Sequence, residues 1–381
     1  MKAILNIFWQ YFKKLDKQLF LIVLACSCFS VVLLYTIVQN KVISGVGTSL
    51  YKTQAISVIL GSGCALVLSA IDYRKLAKLW FLYAPASLIL ALLTFTSLGY
   101  QREGADDKAW LNLGFTTLQP SEFLKLAFIL SFAYHLYKVS ENMNSLKNIA
   151  LLCCHAAVPI LLVALQGDYG TALVFIMIFV FMMFSAGISF KYVITAIIAT
   201  PIMGVIAWFT ILQPQHKKRI LILFNPELDP LGIGNQQRQG KIALGSGQLF
   251  GKGLFGGDYS YVSEVQNDFI FSYVGQTLGF VGCMLLVGAL CYISLKIIAD
   301  SRIAKDNLGK NICVGVFALI FTHCFMNIGM VLGVMPVIGV PLPFTSGGGT
   351  ALLSMFIAIG LVMSTYSHSG KNYAVFYDAN K

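Results

Sequence analysis

Few residues in this chain have both a reactive side chain and an unusual setting. Glu122 and Lys125 stand three apart at the start of an apolar run, Asp168 lies within Gln166-Gly167-Asp168-Tyr169-Gly170-Thr171, and Asp268 immediately precedes the apolar Phe269-Ile270-Phe271. A spacing of three puts Glu122 and Lys125 on one helical face, where they can pair. Pro120 suits a first helical position and Glu122 suits the positive end of a helix, so the pair can serve the helix start alone or face a polar cavity. Asp268 has two readings as well. It can cap the helix that follows, worth about 1 kcal/mol. Alternatively, partly dry surroundings can raise a carboxylate's pKa into the range of a general base. Asp168 serves equally as a turn residue.

Other motifs carry less. Gly245-Ser246-Gly247-Gln248-Leu249-Phe250-Gly251-Lys252-Gly253 fails as a phosphate-binding loop, with Ser246 where the first glycine belongs and Gly253 where a hydroxyl should meet magnesium. Ser346-Gly347-Gly348-Gly349 precedes an apolar run, and its backbone N–H groups can face an anion or form a re-entrant turn. His155 and His323 are lone histidines in apolar runs, expected to be packed and hydrogen-bonded. The nine cysteines all fall in apolar runs without zinc-type spacing, and read as small packing residues.

The elements that must hold these groups follow from composition. The 381 residues are 57% hydrophobic and 11% charged, against about 25% charged in a soluble domain. So few charges cannot cover a water-exposed surface, and in lipid only helices or a closed barrel satisfy the backbone. A span needs about 20 mostly apolar residues. Such runs occupy 19–38, 54–71, 79–98, 120–137, 149–165, 169–187, 192–212, 269–298, 312–334 and 344–364. The expected fold is all-α, a polytopic integral membrane protein of about ten transmembrane helices in one membrane domain, 1–381. The eighth run is overlong, and Gly275, Gly279 and Gly282 within it predict a tilt or bend.

The net charge of +11 is spread over the ends of apolar runs, which is a topology signal and not a nucleic-acid stripe. With the N-terminus inside, the inner segments hold Lys13, Lys14, Lys17, Arg74, Lys75, Lys78, Lys138, Lys147, Lys191, Arg302, Lys305 and Lys310. The short outer loops hold only Lys41, Lys52, Arg102 and Lys108. Both termini are therefore expected in the cytoplasm. The long connection 213–267 and Asp268 then lie outside, with one short helix expected around 236–244. A loop of that length is usually functional or disordered.

Four blocks resemble the SEDS family (shape, elongation, division and sporulation), which comprises RodA, FtsW and SpoVE. The first is Gly104-Ala105 with Trp110-Leu111-Asn112-Leu113-Gly114 and Gln119-Pro120-Ser121-Glu122-Phe123-Leu124-Lys125. The second is 166–171. The third runs from Asn225-Pro226 through Asp229-Pro230, Gln236, Gln239 and Ala243-Leu244-Gly245-Ser246-Gly247 to Glu264 and Asn267-Asp268-Phe269. The last is Asn327-Ile328-Gly329-Met330 with 336–344 and 346–349. The short terminal segments are more like RodA than FtsW. Departures mark a divergent member: Ala109 and Lys108 where a basic residue directly precedes the tryptophan, Gly167 for proline, Gln276 for an acidic residue, and Gly347 for an aromatic.

The resemblance implies a peptidoglycan glycosyltransferase that polymerises lipid II outside a bacterial cytoplasmic membrane during elongation and shape maintenance. It implies Asp268 as the base, and a substrate cavity drawing on Glu122, Lys125, Asp168, Gln236, Gln239, Lys252, Glu264 and Ser346. Its implied partners are a class B penicillin-binding protein (a transpeptidase) and the elongation machinery, with no nucleic acid. No cofactor is required by the residues, while a divalent cation, Mg2+ or Mn2+, would suit the pyrophosphate leaving group. A lipid II flippase, a non-catalytic scaffold and an FtsW-type division polymerase are the alternatives.

Overall fold

The computed structural model describes residues 13–43, 47–101, 107–112, 114, 117–210, 212–230 and 232–369. Arg102, Gly104, Ala105 and Leu113 lie outside the described residues. Among the described residues thirteen α-helices follow in order: α1 (Lys17–Gln39), α2 (Ser49–Ala70), α3 (Tyr73–Lys78), α4 (Trp80–Leu92), α5 (Pro120–Lys138), α6 (Leu146–Leu165), α7 (Tyr169–Ser185), α8 (Phe190–Thr210), α9 (Pro214–Phe224), α10 (Ile233–Ser246), α11 (Ile270–Ile303), α12 (Asn307–Leu332) and α13 (Gly349–Ser367). Among the described residues, seven of these are long and apolar enough to cross a membrane, and two shorter apolar helices begin at Trp80 and Tyr169. The ten apolar runs correspond to α1, α2, α4 to α8 and α11 to α13. The chain is thus a polytopic, predominantly helical membrane protein.

Polar residues start these helices where apolar ones could not. Asp16, Asp72, Ser145, Asp168 and Asp306 each accept a backbone N–H of the first turn of α1, α3, α6, α7 and α12 respectively. α5 instead opens with Pro120, whose missing N–H costs nothing there. Small residues let helices approach: a Cβ on Gly360 of α13 would lie 2.9 Å from the Ala65 Cα of α2, and one on Gly61 of α2 would lie 2.5 Å from the Phe356 ring of α13. The buried centre is built from α5, α12 and α13, while α8 buries none of its side chains.

Three features depart from or refine the sequence expectations. A small antiparallel sheet, β1 (Gly99–Tyr100), β2 (Trp110–Asn112) and β3 (Thr117–Leu118), lies between α4 and α5, so the fold is not purely helical. The long connection holds two helices, α9 and α10, rather than one. Finally, α11 is broken at Gly279 (φ 67°, ψ −163°), which leaves its ladder groups needing partners. The segment after α10 supplies them: Lys252 N and Gly253 N donate to Gln276 O and Thr277 O at 3.0 and 2.9 Å, while Gln248 O and Leu249 O accept from Phe280 N and Val281 N at 2.8 and 3.1 Å. This is the role of the glycine-rich stretch. A Cβ on Gly279 would lie 2.4 Å from Gly251 N.

Candidate active site

Pro120 and the two turns after it aim Glu122 and Lys125 inward, where both are almost wholly buried. Lys125 Nζ sits 2.9 Å from Glu122 Oε1, and the Ser354 hydroxyl of α13 donates to Glu122 Oε2 at 2.7 Å. On its other side Lys125 Nζ lies 3.1 Å from His323 Nε2 of α12, and His323 Nδ1 lies 3.1 Å from the Pro341 carbonyl oxygen. Three core helices and one loop therefore meet at a single ion pair. Removing one partner of such a pair strands a buried charge, at about 3–5 kcal/mol.

The loop 333–348 folds back into the bundle alongside α12. His323 lies nine residues before the end of α12, about 14 Å below it at 1.5 Å per residue. Backbone at that depth is tolerated only where protein covers it. Asn327, one turn from His323 on the same face, donates from Nδ2 to Val340 O and to Asp268 O, both at 2.8 Å. The Ser346 hydroxyl donates to Asn267 O at 2.6 Å and accepts from Leu342 N at 2.8 Å, and Gly347 N donates to Gln266 O at 2.7 Å. The N–H groups of Ser346, Gly347 and Gly348 are all taken by protein acceptors, Leu342 O, Gln266 O and Gln54 Oε1. These three are thus not open to an anion, and of the two readings of this stretch the re-entrant turn is the one that holds: it fastens the Asp268 turn.

Asp268 is half-buried and ends a tight turn. The N-cap of α11 is Phe269, one residue later, and Phe269 makes no side-chain cap. Glu264 holds the turn from below in the left-handed region (φ 55°), a conformation of some cost for a residue with a side chain. Its carbonyl accepts Asn267 N and Phe269 N at 3.0 and 3.3 Å, and its carboxylate accepts Asn267 Nδ2 at 2.7 Å. Gly339 (φ 68°) brings the re-entrant backbone close; a Cβ there would lie 3.6 Å from Asp268 Oδ2.

Asp168 sits between α6 and α7, with Oδ1 on Thr171 N at 2.9 Å and Oδ2 accepting from Gln119 Nε2 at 3.1 Å. Gln119 precedes α5, so this contact joins Asp168 to the helix of the ion pair. Burial, then the charge of Asp107, push its carboxyl up to about 6, against the hydrogen bonds from Thr171 and the field of Lys125.

Beside the Asp268 turn, α10 packs on the first turn of α11, a Cβ on Gly240 being 2.6 Å from the Phe269 ring. Next to this contact is a cleft of about 410 Å³ lined by Asn235, Gln236, Gln239, Tyr261 and Ser263. Ile233 and Gly232 complete its lining, which carries amides, hydroxyls and an apolar side chain but no charge, and Gln236 Nε2 donates to Ser263 O at 3.2 Å. Lys252 is tied elsewhere: it is exposed at the break of α11, its ammonium 2.7 Å from Asp258 O. Among the described residues no three of His, Cys, Asp and Glu cluster closely enough to hold a metal ion.

Sequence reasoning passed over Ser354, read His323 only as a packed, hydrogen-bonded residue, and read Gln119 and Asn327 only as parts of motifs. The available signal was His323 and Asn327 at i and i+4, two polar residues on one face of an otherwise apolar helix.

Comparison with known proteins speaks to the family and the fold. The family described as cell cycle protein, comprising FtsW, RodA and SpoVE, matches residues 16–371. The peptidoglycan glycosyltransferase MrdB of Escherichia coli (strain K12) is 32% identical over 357 residues, covering 93% of this chain and 94% of that protein. The peptidoglycan glycosyltransferase RodA of Treponema pallidum is 29% identical over 424 residues, covering 92% and 96%. Among solved structures, a chain of a peptidoglycan synthase complex superposes with a TM-score of 0.78 at 24% identity, covering 94% of this chain and 99% of that one. The rod shape determining protein RodA of Thermus thermophilus gives 0.69 at 23% identity, covering 94% and 98%. At those identities the two structures speak for the fold alone.

Proposed function

We infer that this chain, which belongs to the family of cell cycle proteins that comprises FtsW, RodA and SpoVE, is a peptidoglycan glycosyltransferase that polymerises lipid II. The observation that carries the site is the seating of Asp268: its backbone carbonyl is held by Asn327 and its turn by Ser346 and Glu264, at the head of a helix, with an uncharged cleft reaching the start of the same turn at Ser263. In this reading Asp268 takes the proton of the acceptor sugar hydroxyl as that oxygen attacks the anomeric carbon of the donor. The bond to the pyrophosphate oxygen breaks with its electron pair, and the configuration inverts. Glycosidases need a second carboxyl because their leaving alcohol must be protonated. A pyrophosphate leaves as a stable anion, so one base suffices. The cleft's amides and hydroxyls suit the sugar portion of the substrate.

The charge bias of the short loops supports an extracytoplasmic site with both termini in the cytoplasm. A divalent cation, Mg2+ or Mn2+, would arrive on the pyrophosphate, because Mg2+ keeps several waters and needs only one or two carboxylates from the protein. A class B penicillin-binding protein that crosslinks the new strands is the partner this reading calls for, and RodA-type elongation its setting. Depletion giving round cells supports elongation; filaments would support division.

The experiment is incubation of purified protein with labelled lipid II in detergent. A flippase or scaffold makes no polymer there, whereas the polymerase does, and Asp268→Ala lowers the yield by about 10²-fold or more.

A further inference from the structure

His323 joins two parts of the site that nothing else in its sequence neighbourhood connects. It is buried to 1% exposure on α12, with Lys125 of α5 on one ring nitrogen and the re-entrant loop on the other. The chemistry of these two neighbours fixes its state. Pro341 O can only accept, so Nδ1 carries a proton and donates to it. Lys125 has an ammonium and no acceptor, so Nε2 must offer a lone pair. A second proton on the ring would set an N–H against an ammonium with no acceptor between them.

The next residue of the loop completes the connection. Val340 O shares the Asn327 amide with Asp268 O, both at 2.8 Å. A continuous path therefore runs from Glu122 through Lys125 and His323 to Pro341, then through Val340 and Asn327 to the backbone of Asp268. Each polar contact in it is between 2.8 and 3.1 Å.

We propose that His323 is a positioning residue: a neutral imidazole, protonated on Nδ1, that hangs the 338–346 loop from the Glu122–Lys125 pair and so sets the place of the Asp268 carboxylate. It rests on the reading of Asp268 as the base of a glycosyl transfer. Loss of His323 frees Pro341 and removes one acceptor of Lys125. The turn then shifts by a fraction of an ångström to an ångström without altering the cleft that binds the sugar. The expected signature is a fall in kcat with KM for the lipid-linked sugar nearly unchanged.

The test compares wild type, Asp268→Ala, His323→Leu and His323→Gln, each purified in detergent, sized by gel filtration and assayed with labelled lipid II. Leucine removes both hydrogen bonds, whereas glutamine restores one donor and one acceptor. His323→Leu should lower kcat about 10- to 100-fold, the scale of a 1 Å misplacement, with KM within about threefold, and His323→Gln should recover most of it. A normal kcat in His323→Leu, equal damage in both variants, or a change confined to KM would overturn the proposal. Wild-type polymer formation abolished by Asp268→Ala shows that the activity stands in either case, so a failure of the His323 arm then strikes this inference alone. Independently of activity, nitrogen-15 spectra of histidine-labelled protein, assigned by loss of the signal in His323→Gln, should show Nδ1 protonated and Nε2 bare. An Nε2–H or doubly protonated ring would refute it.

Discussion

Lys125 and Lys296 are both buried ammonium groups that pair with carboxylates on their own helices, at opposite ends of the bundle. Lys296 lies 2.5 Å from both Asp16, ahead of α1, and Asp300, one turn along α11, with the Tyr366 ring of α13 at 4.9 Å. Asp16 also caps α1. All its partners are side chains carried on or beside helices, and the described cleft is not at this end. Lys125 instead balances one carboxylate and turns its second face to His323, which holds a loop. The same ingredients make a clamp where every partner is a helix, and an adjustable support where one partner is re-entrant backbone.

That contrast can be broken most forcefully by removing each lysine. Lys125→Met and Lys296→Met each strand buried carboxylates, and each should lose about 3–5 kcal/mol of stability, measured as thermal unfolding in detergent. Activity per folded molecule should separate them. It should fall at least about tenfold in Lys125→Met, where the electrostatics near the reacting groups are altered, and stay within about twofold in Lys296→Met. Equal activity losses would erase the distinction.

A smaller effect tests whether the cleft belongs to the active end. Gln239→Ala or Tyr261→Ala removes one hydrogen bond to substrate and should raise KM about 3- to 10-fold while leaving kcat alone, the pattern of uniform binding. A kcat effect without a KM effect would remove the cleft from the substrate path.

An effect on stability alone concerns Asp168. Its folded pKa of about 6 lies above that of a free carboxylate, so the folded state binds the extra proton. Stability from this group is full at low pH, and declines as pH rises through about 4 to 6. Asp168→Asn keeps the helix cap and removes the buried charge. It should be more stable than wild type by about 1–3 kcal/mol at pH 7.5, with the gain vanishing toward pH 4. A gain independent of pH would show that burial of the charge is not the cause.

The sequence made the pair Glu122–Lys125 legible because three-residue spacing needs only one helix, and Asp268 stood out as a charge where an apolar run begins. The ten apolar runs were readable for the same reason, each being a local property. His323 was read as a packed, hydrogen-bonded residue, which is correct as far as it goes. Its meaning lies in partners 198 and 18 residues away, which no local pattern supplies. The glycine-rich stretch 245–253 was rightly rejected as a phosphate loop, but its pairing with the break at Gly279 depends on two distant segments meeting. The β1 to β3 sheet was missed because strands of two or three residues carry no usable alternation.

The claim at the centre is that Asp268 is the base of a glycosyl transfer. Its most direct measurement is polymer formed from labelled lipid II by purified wild-type protein and by Asp268→Ala, with thermal unfolding recorded for both. The account predicts glycan strands from wild type, yields lower by about 10²-fold or more in Asp268→Ala, and the same unfolding temperature in each. Strands made at the wild-type rate by correctly folded Asp268→Ala would contradict it.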